Sequence, residues 1–320
     1  MSRSHQSKFR GIFAATVCPM TPDFAVDEDA LARHVATLVA VAGIRGFLVN
    51  GHAGENFALA RDEKRRVVEI TRAAAGDDAV LICGVNAESS LDAAAHARDT
   101  AAACADAIMI FPPNSWALSV APTTVMRHHE AVIKATDLPI FLYQAPVSAG
   151  PMAYPPDVLA SLVRLPRVVG IKEGSWETSA YEANRRMVRR IAPDVLVMAS
   201  GDEHLLTCFV LGSDGSLLSL AAIVPELIVA LDDAVRRNDL EAARAAHDAI
   251  YPLARAIYST SPASHATARI KTCLRVLGRL TCDAVRPPAG PLPIEEIATL
   301  RVALAKAGLL DGEVASAAST

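Results

Sequence analysis

The chain has 320 residues, 52% of them hydrophobic and 21% charged, with 31 Lys and Arg set against 35 Asp and Glu. A formal net charge of −4 leaves no basic surplus for gripping a phosphate backbone, which argues against a nucleic-acid partner. The longest apolar run, Leu217 to Leu231, carries Pro225 and Glu226 and falls short of the roughly 18 uninterrupted residues a membrane span requires, so no membrane partner is expected.

Residues 1–10 read as a disordered tip, with Arg3, Lys8 and Arg10 preceding the first β-rich run. Eight such runs follow, at 12–17, 46–50, 79–85, 107–111, 139–144, 168–173, 195–200 and 215–220. Their starts lie 20 to 34 residues apart, the length of a strand, a helix and two short connections. The segments between them read as amphipathic helices. Asp27 is placed to cap a helix whose apolar stripe runs Leu31, Val35, Leu38 and Val39, and residues 61–75 set Val67, Val68 and Ile70 opposite a charged face.

Continuous apolar strands such as Val80-Leu81-Ile82 imply burial on both faces, as in a parallel sheet, and eight consecutive units predict an α/β fold, a closed (β/α)8 TIM barrel over residues 11–237. The alternative, an open doubly wound sheet, usually carries a glycine-rich phosphate turn after its first strand, where this chain has Thr16-Val17-Cys18-Pro19. Beyond Arg237 the strand pattern stops. Residues 240–257, 264–277 and 294–307 read as helices of a C-terminal helical domain, 238–312, appended to the barrel, with a proline-rich link at 287–291 and a polar tail at 313–320.

Six cysteines, Cys18, Cys83, Cys104, Cys208, Cys273 and Cys282, form no C-x-x-C pair and read as free thiols of a reducing cytoplasm. The nine histidines show no H-E-x-x-H, and adjacent His128 and His129 diverge around a helix, so they read as surface or capping residues and no metal is expected.

Barrels of this kind place their chemistry at the C-terminal ends of the strands. The polar residues there are Thr16, Asn50 with the loop Gly51-His52-Ala53-Gly54-Glu55, Tyr143, Lys172, Asp202 with Glu203, and Ser219. Strand alternation puts Lys172 on the face of Gly170, opposite Val169 and Ile171. If that face is the interior, burial lowers the amine's pKa and frees it to attack a carbonyl and form a Schiff base; otherwise Lys172 snorkels to solvent. Tyr143 lies one strand earlier at the same depth, about 4.8 Å away, as a proton shuttle or as a core ring with a backbone-bonded hydroxyl. The paired glycines Gly51 and Gly54 free backbone N–H groups for a carboxylate or make an ordinary βα turn, and Glu55 reads as a structural acceptor.

Taken together, Gly51-x-x-Gly54-Glu55, Tyr143-x-x-Pro146 and Gly170-Ile171-Lys172-Glu173 resemble the dihydrodipicolinate synthase / N-acetylneuraminate lyase family of Schiff-base-forming barrels. The match continues through Gly201-Asp202 and Gly212-x-Asp214-Gly215. The resemblance implies a cytoplasmic class I aldolase, lyase or dehydratase acting on a 2-oxo acid such as a 2-keto-3-deoxy acid. It implies no cofactor, and a homotetramer or homodimer. Lys172 would form the imine and Tyr143 relay protons. Gly51, His52, Ala53 and Gly54 would hold the carboxylate, and Gly201, Asp202 and Ser219 the rest of the substrate.

The chain also departs from that pattern. The family usually has Thr or Ser where this loop has His52 and Ala53. The synthase subgroup carries an Arg where this chain reads Val147-Ser148-Ala149-Gly150, and an aromatic P-Y-Y segment where it reads Phe111-Pro112-Pro113-Asn114-Ser115-Trp116. These departures favour a catabolic aldolase or dehydratase over lysine biosynthesis. The alternatives are a dihydrodipicolinate synthase and a ligand-binding or regulatory relative without turnover. His52 would donate a hydrogen bond in place of a lost hydroxyl, relay a proton, or turn to solvent or a subunit contact. Trp116 and Trp176 are expected at the mouth, favouring an apolar or aromatic tail or serving to pack.

Overall fold

Eight parallel strands close on themselves in sequence order: β1 (Gly11–Ala15), β2 (Ile44–Val49), β3 (Val80–Val85), β4 (Ala107–Ile110), β5 (Ile140–Gln144), β6 (Val168–Glu173), β7 (Leu196–Ala199) and β8 (Gly215–Leu218), with β8 returning to pair β1. A helix follows each: α1 (Glu28–Val39), α2 (Arg61–Ala75), α3 (Ser90–Ala102), α4 (Pro122–Lys134), α5 (Pro156–Leu162), α6 (Thr178–Ile191), α7 (Leu205–Val210) and α8 (Pro225–Arg236). This is the (β/α)8 barrel. Three more helices complete the chain, α9 (Leu240–Tyr258), α10 (Ala266–Val276) and α11 (Ile294–Lys306). The computed structural model describes residues 7–310, so the expected tail at 313–320 and residues 1–6 of the expected tip lie outside the described residues.

Period-2 alternation sorts the strand residues into two cores. Phe13, Leu48, Ile82, Met109, Phe141, Leu196 and Leu217 fill the interior, while Ile12, Phe47, Leu81, Ile108, Leu142 and Val197 pack in the layer beneath the helices. A Cβ added to Gly170 would sit 2.3 Å from the Phe141 ring, so that ring occupies the space a side chain would need. Gly170 therefore faces inward, and so does Lys172 two residues on. Ile171 joins the outer layer, but Val169 packs with the inner core, against simple alternation. The β5–β6 register slips between Ile140 and Phe141, leaving Val169 as the unpaired residue.

Several expectations need correction. Residues 7–10 are not a loose tip: Phe9 is buried edge-to-face on Phe141, with ring centroids 5.4 Å apart, and Lys8 pairs with Asp106 at 2.9 Å. His128 and His129 are buried rather than superficial, because adjacent positions of α4 face two different neighbours. His128 Nδ1 meets Ser90 Oγ at 2.9 Å, and His129 bonds the Val125 carbonyl at 2.8 Å and the Tyr154 hydroxyl at 3.2 Å. Trp116 packs over both and is buried away from the mouth. The eighth strand ends at Leu218, so Ser219 begins the following turn. All six cysteines are free; Cys104 is exposed and Cys282 half-buried. Among the described residues no helix is long and apolar enough to cross a membrane.

The C-terminal helices are fastened to the barrel mouth by charge. Lys271 of α10 is fully buried and donates to Glu55, in the loop after β2, and to the Ala284 carbonyl at 2.8 Å. The Arg286 N–H donates to the second Glu55 oxygen at 3.0 Å. Removing one partner of a buried ion pair leaves the other charge unpaired, at a cost of about 3–5 kcal/mol. Lys271→Met is therefore expected to lower the urea unfolding midpoint by that much stability, and adding Glu55→Gln to recover most of it; equal stability of the single variant and the parent would show that the pair holds nothing together.

Candidate active site

A cavity of about 530 Å³ opens at the C-terminal ends of the strands. Lys172, Tyr143, His52, Ala53, Asp202 and Ser219 line it, joined by Ser200 and by Tyr258 from the end of α9. Register brings the central pair together: β5 and β6 pair Tyr143 directly with Lys172, and the ammonium stands 5.7 Å from the centre of the phenol ring. Lys172 thus ends an inward-facing row with its amine on the cavity, not snorkelling away from it.

Burial pushes the Lys172 pKa below its ordinary 10.5, because apolar walls disfavour the ammonium, and the nearby Asp202 carboxylate holds part of that shift back. Burial likewise raises Asp202, opposed by the Lys172 charge and by hydrogen bonds from the Leu220 N–H and from Tyr258. Tyr143 is pushed up by burial first and by Glu173 second, so its hydroxyl keeps its proton at neutral pH. Glu173 itself is buried and accepts from Asn184 at 2.8 Å and Ser175 at 2.9 Å.

The His52 ring is not turned away from the barrel. It stacks on Phe111, with centroids 4.7 Å apart, and meets Tyr143 edge-on at 5.3 Å, while remaining open to the cavity. The surrounding walls, then the Lys172 charge, shift its pKa below 6.5 and favour the neutral imidazole. His52, Ala53 and Gly54 form a 3-10 turn in which Gly54, Glu55 and Asn56 donate back to the Gly51 and His52 carbonyls. The N–H groups of His52 and Ala53, first in the turn, have no earlier turn carbonyl to bond.

The role expected of the two glycines changes accordingly. Neither takes a positive φ; the left-handed positions fall on their flanks, at Asn50 (φ 52°) and Glu55 (φ 54°). Glycine keeps room there, since a Cβ on Gly51 would crowd the Leu48 side chain at 3.3 Å and one on Gly54 the Thr16 carbonyl at 3.3 Å. Gly51, Gly54 and Gly201 are not among the residues that line the cavity, nor are Thr16, Asn50 and Glu203. Asn50 donates to the Lys64 carbonyl at 2.9 Å, and Glu203 pairs with Arg255 at 3.4 Å. Ser219 does reach the cavity, but its hydroxyl is bonded to that of Tyr258 at 2.6 Å.

Tyr258 is the principal residue that strand-end reasoning misses, because it arrives from a helix outside the barrel. Its sequence position, at the end of an amphipathic helix, carries no mark of a site. Trp176 lies where it is expected, on the cavity wall, with its ring 5.1 Å from that of Tyr258. Among the described residues no group of three or more His, Cys, Asp or Glu side chains gathers as a metal site.

Residues 8–307 match the dihydrodipicolinate synthetase family. The chain is 30% identical over 308 residues to a 4-hydroxy-tetrahydrodipicolinate synthase of Methanothrix thermoacetophila, covering 96% of this chain and 99% of that protein. It is 29% identical over 304 residues to a DapA-like lyase of Halobacterium salinarum described as uncharacterized, covering 94% of each. Its fold is similar to that of YagE, a prophage protein of E. coli solved in complex with pyruvate, with a TM-score of 0.86 at 23% identity over 94% of this chain and 99% of that one. It is also similar to that of a dihydrodipicolinate synthase from Acinetobacter baumannii complexed with pyruvate, with a TM-score of 0.83 at 24% identity over 94% of this chain and 99% of that one.

The electrostatic coupling of Lys172 and Asp202 can be read directly by competitive labelling with acetic anhydride. Lys172 is expected to titrate below 10.5, and Asp202→Asn, which removes the charge that supports the ammonium, to move the midpoint lower still. An unchanged midpoint would mean that Asp202 does not act on the amine.

Proposed function

Because the chain belongs to the dihydrodipicolinate synthetase family and its β5–β6 register sets Tyr143 beside Lys172, we propose that it is a lyase acting on a 2-oxo acid through a Schiff base on Lys172. The juxtaposition of an inward lysine and a protonated phenol carries this reading. Unprotonated Lys172 attacks the keto carbon, and water leaves as the iminium forms, with Tyr143 supplying and recovering protons. The iminium is an electron sink. In aldol cleavage the C4 hydroxyl gives up its proton, the C3–C4 bond breaks, its electron pair forms the enamine, and an aldehyde departs. Protonation at C3 and hydrolysis then release pyruvate and the free amine. In a dehydration, C3 loses a proton to give the enamine, the C4 hydroxyl leaves as water, and hydrolysis of the resulting conjugated iminium frees the amine.

The 2-oxo acid's carboxylate is assigned to the His52 and Ala53 N–H groups at the start of the 3-10 turn, with the His52 ring as an additional donor in place of a hydroxyl. Relatives of this fold solved with pyruvate support a substrate of this class. The absence of Lys or Arg other than Lys172 from the described cavity lining supports an aldolase or dehydratase over a synthase that needs a second anionic group held. Retention of both Lys172 and Tyr143 favours turnover over a ligand-binding relative.

Borohydride added with pyruvate is expected to label Lys172, and peptide mapping checks it; modification of another lysine, or none, removes the mechanism. On a turned-over 2-oxo acid, Tyr143→Phe should lower kcat by about 10²- to 10⁴-fold, the scale of losing a positioned proton carrier. His52→Ala should raise KM at constant kcat, and His52→Thr should restore it, whereas a fall in kcat alone would assign His52 to proton transfer.

A further inference from the structure

A three-carbon acid on Lys172 fills only a small part of a 530 Å³ cavity, which lies within the ~300–1,000 Å³ that accommodates drug-sized ligands. The remaining wall has a consistent chemistry. Among the described lining residues Lys172 is the only Lys or Arg and Asp202 the only carboxylate, and each already answers the other. A second anionic group on the substrate would find no cation. Part of the hydroxyl set is engaged, because Ser219 and Tyr258 bond each other at 2.6 Å, Tyr258 bonds Asp202 and Thr267 donates to the His52 carbonyl at 3.3 Å, while Ser148, Ser200, Ser264 and Asn114 also line the cavity.

Much of the rest of the lining is apolar. Phe57, in the loop after the 3-10 turn, lines the cavity yet keeps 59% of its surface exposed. Met152 and Ala149 line it from the β5–α5 connection. Trp176 presents its indole from a backbone at φ 62°, a left-handed conformation that a bulky residue adopts only under strain. Trp176 thus holds a strained backbone at the cavity wall with its ring against Tyr258, and Phe57 offers an exposed ring to the same cavity, an arrangement suited to contact with an apolar ligand.

We propose that the part of the substrate beyond its 2-oxo acid is an uncharged, apolar group of aromatic size that seats against Phe57, Met152 and Trp176. The proposal rests on imine formation at Lys172, and it makes the tail, not the reacting end, the determinant of specificity.

Imine formation itself provides the test, without requiring turnover. Amine and keto group lose water to give the imine, and borohydride delivers hydride to its carbon, leaving a stable secondary amine on Lys172. Half-saturating concentrations for this labelling are measured with 4-phenyl-2-oxobutanoate, 2-oxoglutarate and 2-keto-3-deoxygluconate, which differ in carrying an aromatic, an anionic or a polyhydroxylated tail. The phenyl compound is expected to label at a concentration at least ~10-fold lower than either of the others, the scale of discrimination by a hydrophobic pocket. Phe57→Ala and, separately, Trp176→Ala should shrink that ratio. Equal concentrations, or a preference for either polar tail, overturn the apolar subsite while leaving the imine intact. Failure of all three and of pyruvate to label Lys172 overturns both.

Discussion

An ammonium at the end of an apolar barrel interior must find a counter-charge or give up its proton, and Lys172 does part of each. Below it the interior is closed by Phe9, Phe13 and Phe141, with Gly170 leaving space for the Phe141 ring. Beside it Asp202 supplies the compensating charge, and Asp202 is in turn held by the Leu220 N–H and by Tyr258. The compromise has a chemical consequence, because an amine destabilised as an ammonium but not expelled from the site is one that can act as a nucleophile near neutrality. The proposed imine chemistry draws on that balance, and so does the neutrality of Tyr143, whose phenol is buried by the same walls.

The barrel alone does not make this site. Tyr258 reaches the cavity from α9, Thr267 of α10 donates to the His52 carbonyl at 3.3 Å, and the buried Lys271–Glu55 pair ties α10 to the loop that carries His52. The C-terminal helices therefore act as part of the mouth. Their attachment by a desolvated ion pair explains how a short loop with left-handed residues at Asn50 and Glu55 holds one shape: Glu55 cannot leave its conformation without stranding the Lys271 charge.

The same arrangement redistributes the functions that strand-end residues suggest. Ser219, which by its position offers a hydroxyl to a polyol, is engaged by Tyr258. Of the two tryptophans, Trp116 is absorbed into a buried cluster with His128 and His129, while Trp176 stays on the cavity wall. The result is a cavity with charge and proton donors gathered at one end and a remainder that offers mainly apolar surface.

The barrel and its central pair were legible in the residues themselves. Strand and helix periods are local properties, and in a parallel sheet of consecutive βα units neighbouring strands are known from their order, so Tyr143 and Lys172 could be placed side by side without coordinates. The structural acceptor role of Glu55 was legible too, but its partner was not: Lys271 lies 216 residues away, and nothing in an amphipathic helix pattern marks one lysine as buried. Tyr258, the burial of His128 and His129, Phe9 at the base of the interior and the steric role of Gly51 and Gly54 were likewise decided by the tertiary structure. Each depends on which surfaces meet across the fold, and the identity of a distant neighbour, with the desolvation and packing it imposes, is not encoded in any local period.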